Sequence, residues 1–245
     1  MYEGKELFLE TWSPETMWLD FAEPPVIFEN GKWKTAPLFS GEEVYTFPEP
    51  LGPCTVVYHA HEEVHTVPRF VKGVKNMNVK VGWQPALFMA KAVMELGLLS
   101  DKPIEVKGVK VAPRDVFFKL TKPIPTIDEL ARKIESNVLL DTVGTTVIEV
   151  RGEKAGVKTT YKYFLSTSPM TLREAYKEYG RSFLERPGIV GTSCAVFAHM
   201  LGAGRIRTKG VVPPEGLTRG ERDIFLSELT ERGFVFEEVV ERSLS

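Results

Sequence analysis

Residues 145–165 read Thr145-Thr-Val-Ile-Glu-Val-Arg-Gly-Glu-Lys-Ala-Gly-Val-Lys-Thr-Thr-Tyr-Lys-Tyr-Phe-Leu165, and their pattern decides the fold class. β-Branched and aromatic residues fill two arms, Thr145 to Arg151 and Val157 to Leu165, around a turn at Gly152–Gly156. A link this short joins antiparallel strands, because parallel ones need a crossover of about a dozen residues. Upstream, Val26-Ile-Phe-Glu-Asn-Gly-Lys-Trp-Lys-Thr35 predicts another hairpin, since Asn30-Gly31 suits the positive φ angles of a type I′ turn.

Working outward, Cys54-Thr-Val-Val-Tyr-His59 predicts a buried strand after Gly52-Pro53, and Glu6 to Glu10 a short one. Ile104 to Val111 alternates as a strand with Gly108 as a bulge, and Phe234 to Val240 is a terminal strand. The opening third otherwise reads as strands and loops. Pro85 to Leu99 predicts a helix with proline at its first position and Gly97 at its fraying end. Three capping boxes open further helices: Thr126 with Glu129, Thr171 with Glu174, and Thr218 with Glu221. They run to about Asn137, to a point before Pro187, and to about Arg232 ahead of Gly233. Gly188 to Leu201 forms a small-residue helix closed by Gly202. No regular strand–helix–strand alternation links these elements, so the fold class is α+β, with a mixed, partly antiparallel sheet and flanking helices.

The 245 residues are 43% hydrophobic and 26% charged, with a net charge of -2, as in an ordinary globular protein. Near-neutral charge argues against a nucleic-acid partner, which needs clustered Lys and Arg. No apolar run approaches the ~20 residues that span a bilayer, and Met1 to Glu6 lacks the order of a signal peptide. Cys54 and Cys194 stand far apart, so the expectation is a reducing, cytoplasmic setting.

Chemistry concentrates in His59-Ala-His-Glu-Glu-Val-His65, which holds three of the four histidines. His59 and His61 share a face of an extended chain, so a metal centre on His59, His61 and His65 is one reading. A second is a polar substrate wall in which His61 is an acid/base and Glu63 binds an ammonium group. A plain surface loop is the third. Gly202-Ala-Gly-Arg-Ile-Arg-Thr-Lys-Gly210 invites a dinucleotide reading, but a helix precedes it and strand-like Gly210-Val-Val-Pro-Pro214 follows, the reverse of the required order. Its cations Arg205, Arg207 and Lys209 could still meet an anion. Gly191, Thr192 and Ser193 sit near a helix start, where open N–H groups receive a carboxylate or small residues allow close packing. Cys194, inside an apolar stretch, reads as structural.

Several segments in order then carry a resemblance: Trp12-Ser-Pro, Asn30-Gly-Lys-Trp33, Pro37-Leu-Phe-Ser-Gly-Glu-Glu43, Tyr58 through Pro68, Lys72-Gly-Val-Lys-Asn76 and Gly82-Trp83. Glu95-Leu-Gly-Leu-Leu99, Pro103 through Asp115, Gly191-Thr-Ser-Cys-Ala-Val-Phe-Ala198 and Gly210-Val-Val-Pro-Pro-Glu215 continue the series. The chain resembles the saccharopine dehydrogenase (saccharopine reductase) family downstream of its Rossmann half. The resemblance implies an oxidoreductase of amino-acid metabolism, such as lysine biosynthesis, using NAD or NADP on a secondary amine. It implies that residues 1–205 bind an amino-acid-like substrate and form a homodimer. Residues 206–245 are then a strand–helix–strand segment returning toward a Rossmann domain. No strand–GxGxxG–helix unit is present, so the cofactor half is expected on a separate subunit. The alternative is a non-catalytic binding and dimerisation protein.

The family's substrate-carboxylate arginine falls where this chain has His61, and a second arginine where Met77-Asn-Val79 ends in Val79. Neither replacement can make a bidentate carboxylate clamp, which argues against saccharopine itself. Lys80, Arg69 and Arg114 are the nearest cations that could compensate. The resulting candidate site comprises His61 as acid/base, with Glu63, Asn78, Lys80, Thr192 and Ser193 binding substrate.

Overall fold

Among the described residues the strands form four small sheets rather than one. The computed structural model describes residues 4–7, 12–82, 85–166 and 168–243. The chain divides into two compact units, one of Met1–Tyr45 with Cys54–Leu140, the other of Thr46–Pro53 with Asp141–Ser245.

In the first unit, α1 (Pro14–Asp20) starts at Ser13, whose hydroxyl accepts the Thr16 N–H at 3.4 Å. Strands β1 (Val26–Glu29) and β2 (Lys32–Thr35) pair with Glu29 opposite Lys32. Asn30 and Gly31 take φ of 51° and 78°, the left-handed pair that the hairpin demands. Strands β3 (Glu43–Thr46), β4 (Pro53–Tyr58) and β5 (Lys80–Val81) form a second sheet in that order. Helix α2 (Glu63–Phe70) follows β4. Helix α3 (Ala86–Glu95), hairpin strands β6 (Ile104–Val106) and β7 (Val109–Val111), and helices α4 (Pro113–Leu120) and α5 (Ile127–Glu135) complete the unit. Its core gathers Met17, Trp18, Phe21, Val57, Ala86, Leu87, Ala90 and Leu99, with Phe117 edge-on to Trp18 at 5.2 Å. Each large side chain buried there contributes about 1.5–3 kcal/mol.

The second unit is built on β8 (Val147–Lys154) and β9 (Val157–Phe164), with β10 (Glu237–Arg242) antiparallel on the far side of β9. Helices α6 (Leu172–Tyr179), α7 (Arg181–Glu185), α8 (Ile189–Gly202) and α9 (Arg219–Glu231) accompany it. Val196 and Met200 of α8 pack with Leu229 of α9, flanked by Ile206, Phe225 and Phe234. All three capping boxes form reciprocally. The box at α9 does more than cap: Glu221 also accepts the Arg207 N–H at 2.6 Å and the Thr208 N–H at 2.9 Å and hydroxyl at 2.6 Å. These bonds hold the Glu221 carboxyl far below the usual carboxylate range, the Thr208 hydroxyl contributing most.

The structure corrects several expectations. Ile104 to Val111 is a hairpin, because Lys107 and Gly108 both take positive φ, 51° and 80°, and reverse the chain. The 145–165 hairpin turns on Ala155-Gly156 alone, so its strands extend through Lys154. The helix after Thr171 breaks at Gly180, with φ of 60°, into α6 and α7. Helix α8 includes Gly202, and it is Gly204 that takes the positive φ, 65°. Residues 210–213 form no strand; a 3-10 turn at Pro214–Gly216 leads into α9. Of the strand expected at Glu6 to Glu10, residues 8–10 lie outside the described residues, and Glu6 makes a parallel bridge with Leu139. Helices α1, α2 and α4 are not predicted by the sequence pattern.

Helix α2 shows why. Pro68 cannot donate to the Val64 carbonyl four residues back, which weighs against a helix in the sequence. The Trp33 indole N–H donates to that carbonyl instead, at 3.0 Å. Arg69 in turn lies over the Trp33 ring, 5.0 Å from its centroid.

Candidate functional site

The polar cluster grows from the carboxyl end of β4. Tyr58 pairs with Lys80, and the His59 N–H donates to the Val79 carbonyl at 2.9 Å, extending the β4–β5 ladder by one step. The chain then leaves the sheet and enters α2 at Glu63. His59 is half-buried with its ring 5.4 Å from Phe21. Burial pushes its imidazole below its ordinary pKa, against the opposing pull of Asp20 at the end of α1. His61 points Nδ1 at the Glu63 carboxylate, with Glu62 Oε2 3.5 Å away. The Glu63 hydrogen bond raises the His61 pKa, and the same bond lowers that of Glu63. The two therefore stand as a hydrogen-bonded imidazole–carboxylate pair, roughly half exposed at 46% and 51%.

On the β5 side, Lys80 is committed within the protein. Its ammonium lies 2.9 Å from Glu43 Oε1, donates to the Gly41 carbonyl at 2.7 Å and sits 4.9 Å above the Tyr58 ring. Asn78 is exposed between Met77, which bridges to Phe28, and Val79. Arg69 is occupied on Trp33, and the Arg114 backbone N–H donates to Ser100 at 3.1 Å. So His61, Glu63 and Lys80 flank one strand end in the first unit. Tyr58, the last residue of β4, completes it together with Glu43, Gly41 and Asp20 from outside that strand, and no local pattern in the sequence joins those three to it.

Thr192 and Ser193 belong to the second unit. The open N–H groups at the α8 start are not theirs. Gly188 caps the helix, and Thr192 donates its N–H to the Gly188 carbonyl at 3.0 Å and its hydroxyl to Pro187 at 3.3 Å. Thr192 is buried at 6%, and Ser193 lies one residue deeper in the helix. Cys194 is exposed rather than packed.

The three histidines do not assemble a metal centre. Among the described residues, the converging donor set is His61, Glu62 and Glu63, all exposed, with ligand atoms within 4.8 Å of one another. The Gly202–Gly210 glycines lie at the carboxyl end of α8, where the helix dipole is negative and opposes a pyrophosphate. Arg205 is held by Glu228, and the Arg207 N–H by Glu221. Residues in this arrangement do not fit a dinucleotide. Among the described residues, no helix is long and apolar enough to cross a membrane.

The structure is thus an α+β fold of small antiparallel sheets with a polar cluster at the end of β4. The chain belongs to the saccharopine dehydrogenase C-terminal domain family, whose model matches residues 7–234. That family is generally NAD(P)-dependent and ties the chain to the oxidoreductases of amino-acid metabolism.

Proposed function

We propose that this chain is the substrate-binding part of a saccharopine-dehydrogenase-like oxidoreductase acting on an amino-acid-derived secondary amine. A second, Rossmann-fold chain brings NAD or NADP. The chain works in the cytoplasm as a homodimer, residues 1–205 binding substrate and dimerising, and 206–245 approaching the cofactor chain. The observation that carries the reading is the His61–Glu63 pair at the end of β4, inside a chain of the saccharopine dehydrogenase C-terminal domain family.

The chain's contribution is orientation and proton handling. A secondary amine must shed or regain a proton as its carbon exchanges a hydride, and His61 is placed to hold that proton, oriented by Glu63. Asp20, Glu62 and Glu63 face His59 and His61, while Lys80 is already neutralised by Glu43. The wall is therefore acidic, and it receives an ammonium-bearing portion of the substrate rather than a carboxylate. Asn78 lines the opposite side.

Calorimetry on the purified chain tests this with two probes, saccharopine and a carboxylated polyamine. Tighter binding of the polyamine, weakened by Glu63→Gln, supports the reading. Equal binding of both, or polyamine binding indifferent to Glu63→Gln, refutes the acidic wall. Binding of neither favours the second reading, a non-catalytic dimerisation protein. The engagement of Lys80 with Glu43 is the observation on that side, since it withdraws one of the cations that could stand in for the two missing arginines.

A further inference from the structure

We infer that residues 205–211 form a docking strip for an extended, acidic segment of a protein partner. That segment carries carboxylates at alternate positions and an apolar side chain beyond them. The strip belongs to the second unit and the strand-end cluster to the first, so the inference stands apart from the substrate reading above.

Exposure alternates along the strip. Arg205, Arg207 and Lys209 are exposed and Ile206 and Thr208 between them are partly buried, the period of an extended chain. Ile206 packs on the core of Val196, Met200 and Leu229. Thr208 gives both its N–H and its hydroxyl to Glu221 of α9, and the Arg207 N–H goes to the same carboxylate. The backbone is therefore fixed from inside while the cations stand outside. Arg205 is held by Glu228, which also accepts from Arg232 at 2.6 Å, so one carboxylate lies between two guanidinium groups. Among the described residues, neither Arg207 nor Lys209 has a carboxylate partner. At the far end Gly210 turns the chain with φ of 101°, and Val211 stands fully exposed, at 106%.

The arrangement selects its partner by spacing. From Arg205 to Lys209 the chain takes four steps of about 3.3 Å, a row about 13 Å long. A single phosphate or carboxylate covers one end of such a row. Acidic side chains at every second position of an extended segment meet all of it with the same period. The N–H groups of Arg205, Arg207 and Thr208 are spent inside the protein, on Met200 and Glu221, so the strip offers side chains rather than a strand edge. Because its backbone is already ordered, the strip gives up little freedom when a partner arrives. Val211 adds apolar surface beyond the cations, which an apolar side chain of the partner covers and a phosphate backbone does not.

NMR titration of the full chain at low salt with two synthetic peptides tests the proposal. One peptide has glutamates at alternate positions, separated by serines, and a leucine at each end. The other has the same residues with the glutamates adjacent. The alternating peptide is expected to bind several-fold tighter and to shift the amide signals of residues 205–211. Arg207→Gln with Lys209→Gln should weaken it by about tenfold, Val211→Ser by a few fold, and both effects should exceed that of Lys72→Gln, an exposed cation of the first unit. Glu221→Gln separates order from charge. It removes a negative charge beside the strip, yet it should weaken binding because residues 207 and 208 lose their anchor. Equal binding of the two peptides, or binding indifferent to the double substitution, overturns the strip. Tighter binding by Glu221→Gln overturns the fixed backbone. Displacement of the peptide by an equal concentration of inorganic phosphate overturns the protein partner and leaves a simple anion site.

Discussion

The Trp33 indole N–H donates to the Val64 carbonyl at 3.0 Å, the acceptor that Pro68 leaves without its helical partner. Val64 is fully buried, at 0% exposure, so this carbonyl has little recourse to water. Trp33→Phe keeps an aromatic ring under Arg69 but removes the donor. It is expected to cost about 1–3 kcal/mol in denaturant unfolding. Pro68→Ala in the same background should recover part of the loss, since alanine at that position restores an N–H for the carbonyl. No recovery would show that the indole acts through packing alone.

The pKa values of His59 and His61 are shifted in opposite directions. His61 is raised above its ordinary 6.5, so its contribution is complete below pH 6.5 and fades as pH rises through the folded value. Glu63 is lowered from 4.5, so its contribution is present above pH 4.5 and fades as pH falls through the folded value. The pair therefore stabilises most between about pH 4.5 and 6.5. His59, lowered by burial, opposes folding as pH drops below 6.5, because the folded state resists its protonation. NMR of the imidazole Cε1–H signals should place His61 above His59, and Glu63→Gln should bring His61 down. Coincident titrations would remove the ion pair from the mechanism.

Glu221 should be the capping glutamate least tolerant of change. Glu174 serves only Thr171 of its own helix among the bonds described, whereas Glu221 also ties residues 207 and 208 to α9. Glu221→Ala is expected to lower the melting temperature more than Glu174→Ala, and Thr218→Ala to cost about 1 kcal/mol. Its carboxyl is depressed, so its contribution is complete above pH 4.5 and is lost progressively as pH falls from there through the folded value. Equal shifts for the two glutamates would reduce Glu221 to an ordinary cap.

Gly41 supports the Lys80 clasp through its backbone. Its φ is +67°, and a Cβ there would collide with the Tyr58 ring. Gly41→Ala should therefore exceed the ~1–2 kcal/mol that a left-handed alanine costs by itself. Gly73→Ala, with φ of +86° and open space around it, isolates that backbone cost. A Gly41→Ala penalty no larger than that of Gly73→Ala would show the ring moving freely.

What the sequence determined by itself was local. The three capping boxes, the Asn30-Gly31 turn and the end of α9 at Gly233 each depend on groups within about four residues, so neighbouring residue types suffice. The same locality made the His59–His65 cluster and the absence of a strand–GxGxxG–helix pattern legible. The tertiary structure alone decided the rest. Helix α2 survives Pro68 through a tryptophan 31 positions from Val64, and Lys80 is committed to a carbonyl 39 positions away. Of the residues that complete the strand end, Tyr58 closes β4 itself, whereas Asp20 and Glu43 come from α1 and β3. The helix begins at Gly188, as its small residues imply, and the Thr192 N–H is already spent on the Gly188 carbonyl, so Thr192 has no open donor. Such partners are chosen by which surfaces pack, and packing free energy depends on the whole chain rather than on any window of it.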